Sequence, residues 1–235
     1  MRIKGQCLTN HSSGWLTATA DLNRWATGNR TNDDRGGDKV NSKFLGDALD
    51  HWKGSLIQLL SAKELLKNLV VEPMITDERP WLHDDIETYG RLLGLESSNQ
   101  IHHAQSTFSG KREEYFNLLP NDTDLFLDPD TGIATGSAGR EHVKANELRR
   151  LLTNSDRVVM VYQHSARGSF HQRLDEIRDI VSRQIPNVHC SVYECGRVAV
   201  FFMSRNRARI QEICNALKEH LRGTAENRIS NDSRT

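Results

Sequence analysis

Long apolar runs are missing from this sequence. No stretch approaches the roughly 20 residues that cross a bilayer, and the N-terminus lacks the apolar segment of a secretory leader. The expected location is therefore the cytoplasm. Cysteine is scarce: Cys7, Cys190, Cys195 and Cys214 include no CxxC pair, which argues against a zinc knuckle. Cys190 and Cys195 flank an expected hairpin and can approach each other, but free thiols in a reducing compartment are the plainer reading. No charge of one sign prevails, with 31 Lys+Arg against 31 Asp+Glu. A broadly basic nucleic-acid surface is not indicated, and a local patch stays open. Trp15, Trp25, Trp52 and Trp81 form no basic–aromatic array for single strands. A Gly-x-Ser-x-Gly elbow and a P-loop are also absent.

What is present suits one sizeable core: 235 residues, 37% hydrophobic and 26% charged. Residues 1–41 read as a polar, poorly ordered extension centred on Asp33-Asp34-Arg35-Gly36-Gly37-Asp38. Residues 42–222 read as a single α/β domain, and 223–235 as a disordered tail with nothing to bury.

Within the domain, strand and helix patterns alternate. Leu56, Ile57, Leu59, Leu60, Leu65 and Leu66 give a helical apolar face that ends near Lys67. Leu69 to Ile75 reads as a strand weakened by Pro73. Ile86, Tyr89, Leu92 and Leu93 predict a helix closed by Gly94. Ile101 to Thr107 suggests another strand, and Lys111 to Leu119 a charged helix. Asp124 to Asp128 is a compact strand; Val143, Leu148, Leu151 and Leu152 mark a helix. Arg157 to Tyr162 is the clearest strand, followed by helical spacing from Phe170 to Ile185. Val188, Cys190 and Val192 alternate, Cys195-Gly196 turns, and Val198 to Phe202 returns. Ile210, Ile213, Cys214, Leu217 and Leu221 make a C-terminal helix.

This order predicts an α/β fold: a mostly parallel, doubly wound sheet ending in an antiparallel β-hairpin, with a C-terminal helix. It resembles the Rossmann-like fold of class I methyltransferases over residues 44–205. The resemblance implies an adenosylmethionine cofactor and a methyl-transfer reaction.

Ligands of open parallel sheets bind beyond the carboxyl ends of the strands. Three polar exits are expected to converge there: Thr76-Asp77-Glu78-Arg79, Asp128-Pro129-Asp130-Thr131-Gly132 and Gln163-His164-Ser165-Ala166-Arg167. Phe126-Leu127-Asp128 carries an acid out of the sheet; Pro129 stiffens the exit and Gly132 permits a positive φ. The plain alternative is an ordinary Pro-Asp-x-Gly turn. Asp128-Pro129 is similar to the first half of the methyltransferases' Asp/Asn-Pro-Pro-aromatic motif, whose acid or amide accepts hydrogen bonds from the substrate amine. Asp130 and Thr131 replace its second half. The family's glycine loop after the first strand is also missing from Ile75-Thr76-Asp77-Glu78-Arg79-Pro80-Trp81.

Asp47 is expected to cap a helix carrying Asp50, His51 and Lys53. His164 suits a general base near neutral pH, and Arg167 suits a phosphate or carboxylate. Adjacent His102 and His103 face opposite ways on a strand and would not chelate one metal. Gly46-Asp47…Asp50-His51-Trp52-Lys53, Leu127-Asp128-Pro129-Asp130…Gly132 and Tyr162-Gln163-His164…Arg167 together resemble an uncharacterised family of bacterial and phage-associated proteins. That family supplies no reaction.

Three functions follow as expectations. The first is a methyltransferase-like enzyme with Asp128, Asp130 and His164 in catalysis. Asp47, Lys53, Asp77, Glu78, Gln163 and Arg167 would bind substrate or cofactor. The second is a metal-dependent nuclease or phosphodiesterase holding Mg²⁺ on Asp77, Asp128 and Asp130. It lacks a PD…(D/E)xK strand pair, because Glu141-His142-Val143-Lys144 reads as helix. The third is a non-catalytic accessory protein of a mobile-element or phage-defence locus, holding a nucleotide or a partner in the doubly wound core.

Overall fold

The computed structural model describes residues 45–76, 81–102, 108, 111–153, 156–165, 168–221 and 229–231. The predicted extension at 1–41, with Cys7, Trp15 and Trp25, lies outside the described residues, as does most of the strand expected at 101–107.

Helix α1 (Ala48–Ala62) starts where Asp47 accepts the backbone N–H groups of Leu49 and Asp50. These bonds satisfy donors that the first helical turn leaves orphaned. Strand β1 (Val70–Glu72) is shorter than its apolar run. Pro73 and then Met74, at φ 49°, take the chain out of extended geometry. Helix α2 (His83–Leu93) closes on Gly94 at φ 70°. After a 3₁₀ turn and α3 (Arg112–Asn117) comes β2 (Leu125–Leu127), then β3 (Gly132–Ile133), β4 (His142–Val143) and α4 (Ala145–Leu151). Strand β5 (Val159–His164), α5 (Phe170–Gln184), β6 (His189–Cys195), β7 (Val198–Ser204), α6 (Arg207–His220) and β8 (Ile229–Asn231) complete the order.

The fold is mixed α/β. The main sheet has the order β1-β2-β5-β7-β6-β8. Strands β1, β2 and β5 pair in parallel, β7 is antiparallel to both β5 and β6, and β8 is antiparallel to β6. Four of the six strands thus run one way, and the sheet is mostly parallel in direction. Helices cover both faces. One face packs Val71, Phe126, Met160, Val200 and Phe202 under α1, α2 and α6. The other packs Leu125, Leu127, Val161, Phe201 and Met203 under α3, α4 and α5. Two buried faces explain why β7 reads as an unbroken apolar run rather than an alternation. Among the described residues no helix is long and apolar enough to cross a membrane.

Four local expectations change. Glu141 to Lys144 do not open a helix. His142 and Val143 pair in parallel with Gly132 and Ile133, fixed by bonds from Thr131 N–H to Glu141 O and from Ala134 N–H to Val143 O. Ile101 makes only an isolated bridge to Val71. Within the polar tail, Ile229 is buried and β8 pairs with Ser191–Tyr193 of β6. Cys190 and Cys195 sit on the same strand, five residues and roughly 16 Å apart, too far to bridge to each other.

Candidate functional site

Helices α1 and α2 cross at Gly54, where a Cβ would drive into the carbonyl of Leu92. This approach brings the inner faces of both helices over the carboxyl end of β2. Asp50 and Lys53, one turn apart, point inward from α1, and Tyr89 points inward from α2. Asp128 leaves β2 between them, its N–H donating to Glu72 O on β1.

The contacts are short. Lys53 Nζ donates to Asp128 Oδ2 at 2.7 Å and to Asp50 Oδ1 at 3.2 Å. The Tyr89 hydroxyl donates to the same Asp128 Oδ2. Gly46 N–H donates to Asp50 Oδ2 at 2.9 Å. Lys53 Nζ also lies 4.4 Å from the centroid of the Tyr162 ring, a cation–π distance. The side chains of Asp50 and Lys53 are 9% exposed and that of Asp128 10%, so solvent screens them poorly.

Two acids share one base. Burial alone would lower the Lys53 pKa, but Asp128 and Asp50 outweigh it and hold the ammonium above its ordinary range. Burial pushes Asp128 up; Lys53 and Tyr89 oppose that rise and Asp50 adds to it, leaving a carboxyl that keeps a proton more readily than free aspartate. Burial, with Asp128 next, raises Tyr89 well above the ordinary phenol range, so Tyr89 remains a neutral donor. Tyr162 is raised for the same first reason.

The anchored oxygen of Asp128 is Oδ2; Oδ1 accepts no hydrogen bond from the described residues. Two buried polar atoms beside the cluster are also without a partner among them, the Tyr162 hydroxyl and Trp81 Nε1. Trp81 packs edge-on against Tyr89 at 5.0 Å between centroids.

The other expected residues divide. Asp130 Oδ2 accepts from Thr76 Oγ1 at 2.6 Å, tying the β2 exit to the β1 exit. Asp47 serves the α1 N-terminus. Gln163 faces away from the cluster and braces the turn. It accepts from Ile133 N–H at 2.8 Å and donates to Thr131 O at 2.7 Å and to its neighbour's carbonyl at 2.8 Å. His164 is exposed at the end of β5, on the face of Tyr162, with ring centroids 6.4 Å apart. Asp77, Glu78 and Arg167 lie outside the described residues. Asp128 and Asp130 have different partners, and no three His, Cys, Asp or Glu of the described residues are grouped to hold a metal.

Sequence reasoning missed Tyr89 and Tyr162, because at helical and strand spacing each reads as core. It also missed Glu72, fully buried at the end of β1. Its Oε1 accepts from the Tyr115 hydroxyl and from Met74 N–H at 3.0 Å, and Oε2 lies 3.6 Å from His102 Nδ1. A carboxylate ending the apolar run Leu69-Val70-Val71 was the available signal.

No family model matches the chain, and no curated protein or solved structure matches it either.

Proposed function

We propose that the chain is a methyltransferase-like enzyme whose site lies at the carboxyl ends of β1, β2 and β5, around Asp128-Pro129-Asp130. The observation that carries this reading is the Asp128 carboxylate, delivered by β2 and clamped at Oδ2 by Lys53 and Tyr89 while Oδ1 accepts nothing from the described residues. A clamped acid with one open oxygen suits an amine donor, whose N–H it can accept and orient. The sheet adds support. Three parallel strands with an antiparallel strand set beside the last of them are compatible with the Rossmann-like arrangement the resemblance implies.

Lys53 and Tyr89 fix the carboxylate in this reading, and Asp50 keeps Lys53 charged. His164, exposed on the same face, is placed to take the proton that the amine loses. Adenosylmethionine, when bound, supplies the methyl group. The open Asp128 oxygen would supply an acceptor to this cofactor, and the Tyr162 hydroxyl and Trp81 Nε1, which have no partner among the described residues, would supply two donors. At the β1 exit, buried Ile75 and Thr76 open the stretch that lacks the family's glycines.

Thermal unfolding with adenosylmethionine, adenosylhomocysteine, Mg²⁺ or Mn²⁺ tests the reading. A ligand of the folded state at 100 times its Kd adds about 2.7 kcal/mol. An upward Tm shift with either adenosyl compound, abolished by Asp128→Asn in a folded variant, is expected. A shift with the metals alone transfers the site to phosphodiester chemistry. No shift with any of the four favours a non-catalytic binding protein.

A further inference from the structure

We infer that the β3–β4 loop and Arg173 of α5 form an anion site that takes a phosphate group. The loop is Ala134-Thr135-Gly136-Ser137-Ala138-Gly139, followed by Arg140. The backbone N–H groups from Thr135 to Arg140 donate to none of the described residues. Gly136 stands in open space, where a Cβ meets nothing within 4 Å, so side-chain packing does not demand glycine there. Successive unspent amides of small residues in a bend can turn toward the oxygens of a phosphate.

Arg173 supplies the charge. It lies one turn into α5, half-buried, with one guanidinium nitrogen on Thr135 Oγ1 and another 3.5 Å from Ile133 O. No carboxylate of the described residues pairs with it, and its Nε is buried without a partner. The first turn of α5 has no acid. The neighbouring charges are otherwise engaged. Arg112 forms a fork with Glu147 at 2.5 and 2.7 Å. Glu141 stands 2.9 Å from His142 Nδ1 and closes the Gly139 end of the loop, where a Cβ would meet its carboxylate, so the open amides are those nearer Arg173. A half-buried guanidinium held by neutral acceptors keeps its charge for an oxyanion, which it can bind through two N–H groups.

The site shares the carboxyl rim of the sheet with Asp128. Ile133 follows Asp128 by five residues, so their Cα atoms are at most about 18 Å apart, but Ile133 packs on the sheet face opposite the Asp128 cluster, beside Gln163. The inference does not depend on methyl transfer and is measured as binding alone.

The test titrates orthophosphate, a nucleoside monophosphate, the matching nucleoside and a short single-stranded oligonucleotide into the full chain by calorimetry. Amide shifts in the wild type locate the contact. The phosphate compounds should bind and move the amides of residues 134–139, while the nucleoside does not. Arg173→Gln should weaken binding by at least about tenfold, and Arg173→Lys, which keeps the charge but loses the fork, by less. Arg149→Gln, the same charge change at an exposed position on α4, should leave binding intact. Relative affinity for the three phosphate compounds then names the source as free phosphate, nucleotide or nucleic acid. Equal losses in the Arg149 and Arg173 variants, amide shifts elsewhere, or no binding of any phosphate compound would overturn the inference. Should Arg173→Gln not fold, the lysine variant and the amide map decide the matter.

Discussion

Lys53 Nζ and Asp128 Oδ2 meet at 2.7 Å although 75 residues separate them in the chain. The pair is buried, and the lysine is shared with Asp50. Its removal therefore strands two acids rather than one. Lys53→Met should destabilise the protein by about 3–5 kcal/mol at neutral pH, the cost of leaving buried charge unpaired. Adding Asp128→Asn should recover part of that loss. Urea unfolding of the two single variants and the double variant gives the coupling, and simple additivity would rule out the pairing.

The two tyrosines of the cluster should behave differently. Tyr89→Phe removes a donor from a buried carboxylate, and about 1–3 kcal/mol of stability should go with it. Tyr162→Phe removes a hydroxyl without a partner among the described residues, so the ligand-free protein should change by less than about 0.5 kcal/mol. A ligand that uses the Tyr162 hydroxyl would instead show a loss of affinity with stability preserved. Equal destabilisation by both substitutions would contradict this account.

Gly54 is required by the helix crossing. Gly54→Ala gains about 1 kcal/mol of helix propensity, yet its Cβ enters the Leu92 carbonyl, which is backbone and cannot swing aside. A net loss of about 1–3 kcal/mol is expected, with the Lys53–Asp128 and Tyr89–Asp128 contacts loosened together. Gly136→Ala, with open space around it, should stay within about 0.5 kcal/mol of wild type. Chemical denaturation of both variants checks the contrast.

His142 makes stability depend on mildly acidic pH. Burial holds its pKa below the ordinary imidazole value of about 6.5; Glu141 opposes this, while Arg173 and Arg112 add to it. As pH falls below 6.5, the unfolded chain takes up the proton first and binds more protons than the native state. Stability therefore falls between that point and the lower native pKa, and rises with pH across the same window. His142→Gln should flatten this part of the profile. NMR titration of His142 that places its native pKa at or above 6.5 would reverse the sign.

Much of the fold was legible in the sequence. Helical spacing from Phe170 to Ile185 became α5, and Gly94 closes α2 in the left-handed conformation that only a residue without Cβ adopts freely. The helix beginning at Asp47 and the acid at the exit of the Leu125–Leu127 strand were also visible, since a cap and a strand end are short-range signals. Less was legible where tertiary contact outweighs local pattern. Met74, left-handed and fully buried, cuts β1 short. His142 and Val143 pair as a strand because Gly132 and Ile133 lie beside them. Gln163, expected at a ligand, is a brace whose amide fits under Gly132, at φ 106°.

By itself the sequence determined the alternation of strands and helices, the faces those elements bury, and the positions of Asp128 and Lys53 on a strand end and a helix. Periodicity and capping act over a few residues, so they can be read along the chain. Tertiary structure alone decided that Lys53 and Tyr89 would meet one oxygen of Asp128, that Arg173 would face neutral acceptors, and that Tyr162 would sit beneath an ammonium. Those outcomes depend on how closely α1 crosses α2 and how α5 lies against the β3–β4 loop. The strength of a buried charge contact is set by distance and desolvation, and neither is written in the order of residues.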